Sequence, residues 1–169
     1  MDTQVRVAGI VKESIVDGPG IRYVVFAQGC RHNCPGCHNP ETHSFEGGSL
    51  IKIDTIRQQI KNNPLLGGIT LSGGEPFEQA AGFAELVSGI RGMSLNVMIY
   101  SGYTYEEIMS NSGTRPDWGK LLGLADILVD GHFIEDKKDY RLKFKGSKNQ
   151  RIIDLKQTKL AGTVVIADI

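Results

Sequence analysis

Apolar residues recur along the chain in two rhythms. Residues 21–28 (Ile-Arg-Tyr-Val-Val-Phe-Ala-Gln) concentrate β-branched and aromatic side chains and predict a strand. Residues 5–11 predict an earlier strand in spite of Gly9. Short apolar runs at 68–71, 95–100 and 125–129 predict three more, and 151–155 and 163–167 two last ones. Between them the spacing turns helical. Ile56 and Ile60 lie four apart in a helix that Asp54 can cap, that runs to about Asn63 and that Pro64 stops. Phe83, Leu86, Val87 and Ile90 mark a helix to about Arg91. Thr104 with Glu107 reads as a capping box, and 118–124 as a weaker helical segment.

Strand, loop, helix, strand is the order of a parallel sheet with crossover helices. There are too few repeats of it for a closed eight-stranded barrel. The predicted class is therefore α/β, a partial, open (β/α) barrel with parallel strands, in one domain over residues 1–169. No internal repeat or linker interrupts it.

The loops rich in turn residues all follow strands: 29–40, Gly73-Gly74-Glu75, Ser101-Gly102 and Asp130-Gly131-His132. Ligands of α/β folds gather at the C-terminal ends of strands, so these loops are expected on one rim. Glycine, 21 residues in all, is common in such loops, where it lets main chain approach a ligand closely.

Formal charge is zero, which removes any global electrostatic case for nucleic acid or membrane. Nine of the nineteen Lys and Arg nevertheless fall between Lys137 and Lys159. A solvated face is the ordinary reading of such a run, and Tyr140 and Phe144 are too few aromatics for nucleic-acid stacking. The first residues hold no signal-like apolar run, and no stretch is long enough to span a membrane. Unpaired cysteines then predict a reducing, cytoplasmic setting.

All three cysteines, Cys30, Cys34 and Cys37, fall within eight positions, spaced C-x3-C-x2-C. Three thiols cannot complete a disulfide framework, but they can converge on a metal centre. A 4Fe–4S cluster would keep one iron free of a protein ligand. A zinc site completed by His32 or His38 is the alternative, although structural zinc sites usually draw on a second knuckle, which is missing here.

The motif resembles the signature of the radical S-adenosylmethionine (radical SAM) superfamily. The wider wording, 14–22 (Ser-Ile-Val-Asp-Gly-Pro-Gly-Ile-Arg), Phe26-Ala27-Gln28-Gly29-Cys30 and Cys37-His38-Asn39-Pro40-Glu41-Thr42, is similar to the glycyl-radical-enzyme activases. With the late segment 145–151 it most resembles the branch that acts on anaerobic ribonucleoside-triphosphate reductase; activases of pyruvate formate-lyase share most of the N-terminal motif.

The resemblance implies an oxidoreductase. Its 4Fe–4S cluster would sit on Cys30, Cys34 and Cys37, with SAM on the fourth iron. Reductive cleavage of SAM to a 5′-deoxyadenosyl radical would generate a glycyl radical on the large subunit of the reductase. Electrons would come from an external donor such as flavodoxin or ferredoxin. Implied SAM contacts are Gly73, Gly74 and Glu75 for the methionine part, and Gly36, Cys37 and His38 for the adenine. Ser101, Asp130 and His132 join them at neighbouring strand ends. Lys145, Asn149, Gln150 and Arg151 are the expected partner-docking residues. A non-catalytic metal-binding or electron-transfer module is the rival from another class.

Overall fold

The computed structural model describes residues 3–37 and 39–169. Its frame is one open seven-stranded sheet in the order β3-β1-β2-β4-β5-β6-β7. The strands are β1 (Gln4–Ser14), β2 (Arg22–Ala27), β3 (Ser49–Lys52), β4 (Gly68–Gly73), β5 (Asn96–Tyr100), β6 (Ile127–Asp130) and β7 (Arg151–Asp154). The centre, β2-β4-β5-β6, is parallel. The flanking β1, β3 and β7 pair antiparallel. The expected open α/β architecture is present; its strands are parallel at the centre, as expected, and antiparallel at the margins, which the strand–helix rhythm did not show.

The helices are α1 (Ile53–Lys61), α2 (Ala80–Ser88), α3 (Tyr105–Asn111), α4 (Pro116–Leu124) and α5 (Leu155–Ala161). The capping box of α3 forms as expected: Glu107 N–H donates to Thr104 Oγ1, and Thr104 N–H to Glu107 Oε1, both at 3.1 Å. Asp54 lies in the first turn of α1 rather than at its cap, which is Lys52.

The apolar faces of all five helices join a single core. Ile56, Phe83, Ile108, Leu121 and Leu155 meet one face of the sheet, carrying Tyr23, Val25, Ile69, Leu71, Val97, Ile99 and Leu128. Because strand side chains alternate, Phe26, Ser72, Met98, Tyr100 and Val129 point to the other face. There Met98, Ile127 and Val129 form a small separate cluster, covered by Phe144 and Ile152. Helices thus cover one side of the sheet, and loops close the other. That is the plan of a partial barrel whose interior is open to a ligand.

Two local expectations are corrected, and one strand was not expected. Residues 163–167 form no strand; they touch the sheet through one bridge, Ile153 to Ile166. The strand expected over 151–155 stops at Asp154, whose carboxylate accepts from Gln157 N–H at 2.9 Å and starts α5. Gly162, at φ 74°, ends that helix. Lastly, β3 escaped the pattern because it is a four-residue edge strand with no buried residue.

Candidate functional site

The cysteine loop springs from the end of β2 and is closed at its base. Gly29 N–H donates to Thr42 O at 2.6 Å, and Cys30 N–H to His43 O at 3.1 Å. Gln28 reinforces the closure by donating its amide to Glu41 O and Ser44 O. Inside the loop, Cys34-Pro35-Gly36-Cys37 is a tight turn, with Cys37 N–H donating to Cys34 O at 3.1 Å. Proline followed by a glycine at φ 73° is the chemistry of a type II turn. A Cβ on Gly36 would also lie 2.7 Å from the Glu135 carboxyl carbon. The two-residue spacing therefore has a mechanical reason: the turn returns Cys37 beside Cys34.

All three cysteines border one cavity of about 490 Å³ on the loop-covered face of the sheet. Burial lifts the Cys30 thiol to about 11 and raises that of Cys34, with the neighbouring thiols and Glu75 adding to the effect. Asn39 N–H points at Cys37 Sγ at 3.4 Å.

Among the described residues, no group of three or more His, Cys, Asp or Glu could hold a single metal ion. The Nε2 of His32, one of the two histidines considered for zinc, faces Glu75 at 2.7 Å. His38 lies outside the described residues. Three soft sulfurs around a roomy cavity suit a multi-iron cluster, and thiolate is the ligand such clusters take. Cys30, Cys34 and Cys37 are the residues that would hold it.

Gly73 and Gly74 line the same cavity, but their need for glycine comes first from packing. A Cβ on Gly73 would lie 2.5 Å from Ala27 N, and one on Gly74 2.5 Å from Gly29 O. Glu75 N–H donates to Gly29 O at 2.8 Å, so β4 remains joined to β2 right into the root of the cysteine loop.

Glu75 itself is fully buried and its carboxylate is occupied. It accepts from Phe77 N–H at 3.0 Å, from Gly102 N–H at 2.8 Å and from the Ser101 hydroxyl at about 2.9 Å. His32 completes the set. The Glu75 carboxylate knots three loops together, and Glu75 is not among the residues that line the cavity.

Ser101 borders the cavity, whereas Asp130 does not. Asp130 is buried and bound to Arg151, Nε to Oδ1 at 3.0 Å and an Nη to Oδ2 at 2.5 Å, and it accepts from Tyr105 N–H. His132 lines a neighbouring cleft, beside Cys34 and Glu135, rather than the cavity.

The late segment is tied into the fold by its polar side chains. Asn149 donates to His132 O, Gln150 donates to Gly131 O, and Arg151 holds Asp130. Three successive residues thereby clasp the turn after β6. Gln150 Oε1 also accepts from Gly146 and Ser147 N–H, and Lys145 Nζ donates to Gln150 O at 2.9 Å. The strap so tied places Leu142, Phe144 and Lys145 on the cavity wall.

Sequence reasoning missed Asp17, Tyr100 and Phe133, which also line the cavity. Asp17 had a visible signal in the Asp-Gly-Pro-Gly turn. The Ser14 hydroxyl donates to its carboxylate at 2.5 Å, and its main-chain oxygen accepts from Thr70. Beneath it, Arg22 is a buried arginine that donates to Pro19 O, Thr70 Oγ1, Ile69 O and Asn96 O. Burial lowers its value to about 10.

Comparison with known proteins agrees with this geometry. A family described as a 4Fe-4S single cluster domain matches residues 16–153. The anaerobic ribonucleoside-triphosphate reductase-activating protein of Escherichia coli (strain K12) is 33% identical over 150 residues, 84% of this chain and 94% of that protein. Its counterpart in Vibrio cholerae is 33% identical over 146 residues, covering 82% and 90%. That of Enterobacteria phage T4 is 29% identical over 143 residues, covering 81% and 86%. Among solved structures, QueE from Escherichia coli aligns with a TM-score of 0.46 at 14% identity, over 60% of this chain and 54% of that one. By both its matched domain and its relatives, the chain belongs to the 4Fe-4S single cluster family and to the family of anaerobic ribonucleoside-triphosphate reductase-activating proteins.

Proposed function

We propose that this protein is a radical SAM activase that installs a glycyl radical on anaerobic ribonucleoside-triphosphate reductase. The observation that carries the reading is the joint opening of three thiols and the Gly73-Gly74 turn onto one cavity. When bound at Cys30, Cys34 and Cys37, the cluster supplies one-electron reduction of SAM at the iron that lacks a protein ligand.

The chain's own residues bind, orient and shield. The main chain at Gly73 and Gly74, held against β2, offers polar groups to the methionine end of SAM. Cys37, at the end of the Gly36 turn, lines the same space and offers its main chain to the adenine. Ser101, Gly131 and Lys145 complete the polar lining, while Phe26, Tyr100, Phe133 and Phe144 keep much of the wall apolar. Glu75, Asp130 and His132 act from behind it by fixing the loops. An apolar wall limits water near a reactive carbon-centred species, and the docked partner would complete the enclosure. The chain has three cysteines, all committed to this loop, so electrons come from a separate donor such as a flavodoxin or ferredoxin.

The test is anaerobic. Reconstituted protein, reductant, SAM and the reductase are mixed and followed by electron paramagnetic resonance. A glycyl radical doublet on the reductase is expected, with 5′-deoxyadenosine and methionine as products. Its absence, in a preparation that carries a full cluster, would overturn the assignment. A doublet on pyruvate formate-lyase instead would move the protein to that branch.

A further inference from the structure

We propose that His32, which lies between two of the cysteines and is not itself a ligand to the cluster, is the positioning residue of the cysteine loop. His32 borders both the cavity and the neighbouring cleft, but its ring is held by a hydrogen bond and by packed rings. The side chain is 7% exposed and its Nε2 is 2.7 Å from Glu75 Oε1. The Glu75 carboxylate accepts from the main chain at Phe77 and Gly102 and from the Ser101 hydroxyl, so it acts as an acceptor throughout. His32 Nε2 therefore carries the proton and donates it, an assignment that follows from the network.

The ring is also stacked. Tyr103 meets it edge-on at 4.4 Å, and His132 at 4.5 Å with a 60° tilt. Tyr103 packs on Trp118 at 4.7 Å, and Trp118 on Phe77 at 5.7 Å. This row of rings runs from the loop to the main core. Gly102 leaves room for it: a Cβ there would lie 2.5 Å from His32 Cδ2.

The adjacent residue offers a contrast. Arg31 pairs with Glu78 at 3.1 Å, but its side chain is 73% exposed. An exposed pair contributes little, whereas a charge-assisted hydrogen bond to a buried carboxylate is among the stronger contacts a loop can make. Of the two, His32 ties the segment bearing Cys30 and Cys34 to the turns after β4 and β5. The thiols and the cavity wall opposite them are then positioned as one unit.

The inference relies on the proposed function only for the thiols' role, and its main test is run without the cluster. Amide hydrogen–deuterium exchange of the cluster-free full chain compares wild type with His32→Ala, His32→Gln and Gly102→Ala. Gln keeps a donor to Glu75. Gly102→Ala keeps the imidazole but displaces it. His32→Ala should speed exchange at 29–37 and 101–103 at least about tenfold, equivalent to ~1.4 kcal/mol of local stability. His32→Gln should restore most of it, and α2 should keep its protection in every variant. Gly102→Ala should loosen 29–37 as well as its own turn.

In the cluster-loaded protein, the resonance of the reduced cluster should shift in His32→Ala and return in His32→Gln. Unchanged exchange at 29–37 in His32→Ala would overturn the proposal. So would a Gln variant as loose as Ala. If His32→Ala does not fold, Gly102→Ala decides: loosening confined to 101–104 would refute the role, and loosening of 29–37 would support it.

Discussion

The two faces of the sheet are built by opposite rules. On the helix-covered face, side chains of β2, β4, β5 and β6 meet five apolar helix stripes in one continuous core. On the loop-covered face the same strands present Phe26, Ser72 and Tyr100 to a cavity, and only Met98, Ile127 and Val129 make a small apolar patch. The first face is held by area, the second by hydrogen bonds. Area is non-directional and tolerates small shifts; a hydrogen-bonded loop holds its donors in one arrangement. A site that must keep three sulfurs, a glycine turn and a strap in register is accordingly placed on the second face.

The comparison can be broken from either side. On the helix side, Phe83 has no exposed surface. Phe83→Ala should cost about 3–5 kcal/mol, read from the urea midpoint of the cluster-free protein. On the loop side, Asp130 is buried and Arg151 is its ionic partner. Arg151→Met removes that partner and leaves Asp130 the N–H of Tyr105. A loss of about 2–3 kcal/mol is expected, less than for a fully buried pair because Arg151 is partly exposed. The clasp should loosen with it, so SAM affinity should fall more in this variant than in Phe83→Ala, as measured by equilibrium dialysis on cluster-loaded protein. Equal losses of affinity would remove the distinction between the faces.

The smallest effect comes from the other partner of Arg151. Glu106 is exposed, and the hydrogen bond from Arg151 lowers its carboxyl below the ordinary value. Its stabilising contribution is therefore present above the unfolded-state value and is lost as pH falls through the lowered one. Glu106→Gln should flatten that part of the acid limb of stability by less than about 1 kcal/mol. A steeper acid limb in the variant would contradict the sign.

The same contrast explains what could be read from residues alone. Apolar patterning exposed β2 and α2 because burial against a core imposes spacing on sequence, and the Thr104–Glu107 capping box marked the start of α3. It missed β3, which has no fully buried residue, and α5, whose buried positions are only Leu155 and Thr158. The cysteines and the glycine turns were legible because few chemistries need such spacing. The uses of polar residues were not. Nothing local announces that the Glu75 oxygens meet Phe77, Ser101, Gly102 and His32. Segment 149–151, matched only as a late motif, ties Asp130, Gly131 and His132. Which donor meets which acceptor across 17 to 43 positions of chain is decided by topology, and no local pattern carries it.

The account stands most directly on one measurement: iron, sulfide and the electron paramagnetic resonance of the reduced protein after anaerobic reconstitution, with and without SAM. About four iron and four sulfide per chain are expected, with a signal that changes when SAM is added. Cys34→Ala should fold but lose the cluster. A wild-type protein that binds zinc in place of iron and sulfide, a signal indifferent to SAM, or a Cys34→Ala protein that still cleaves SAM at the normal rate would contradict it.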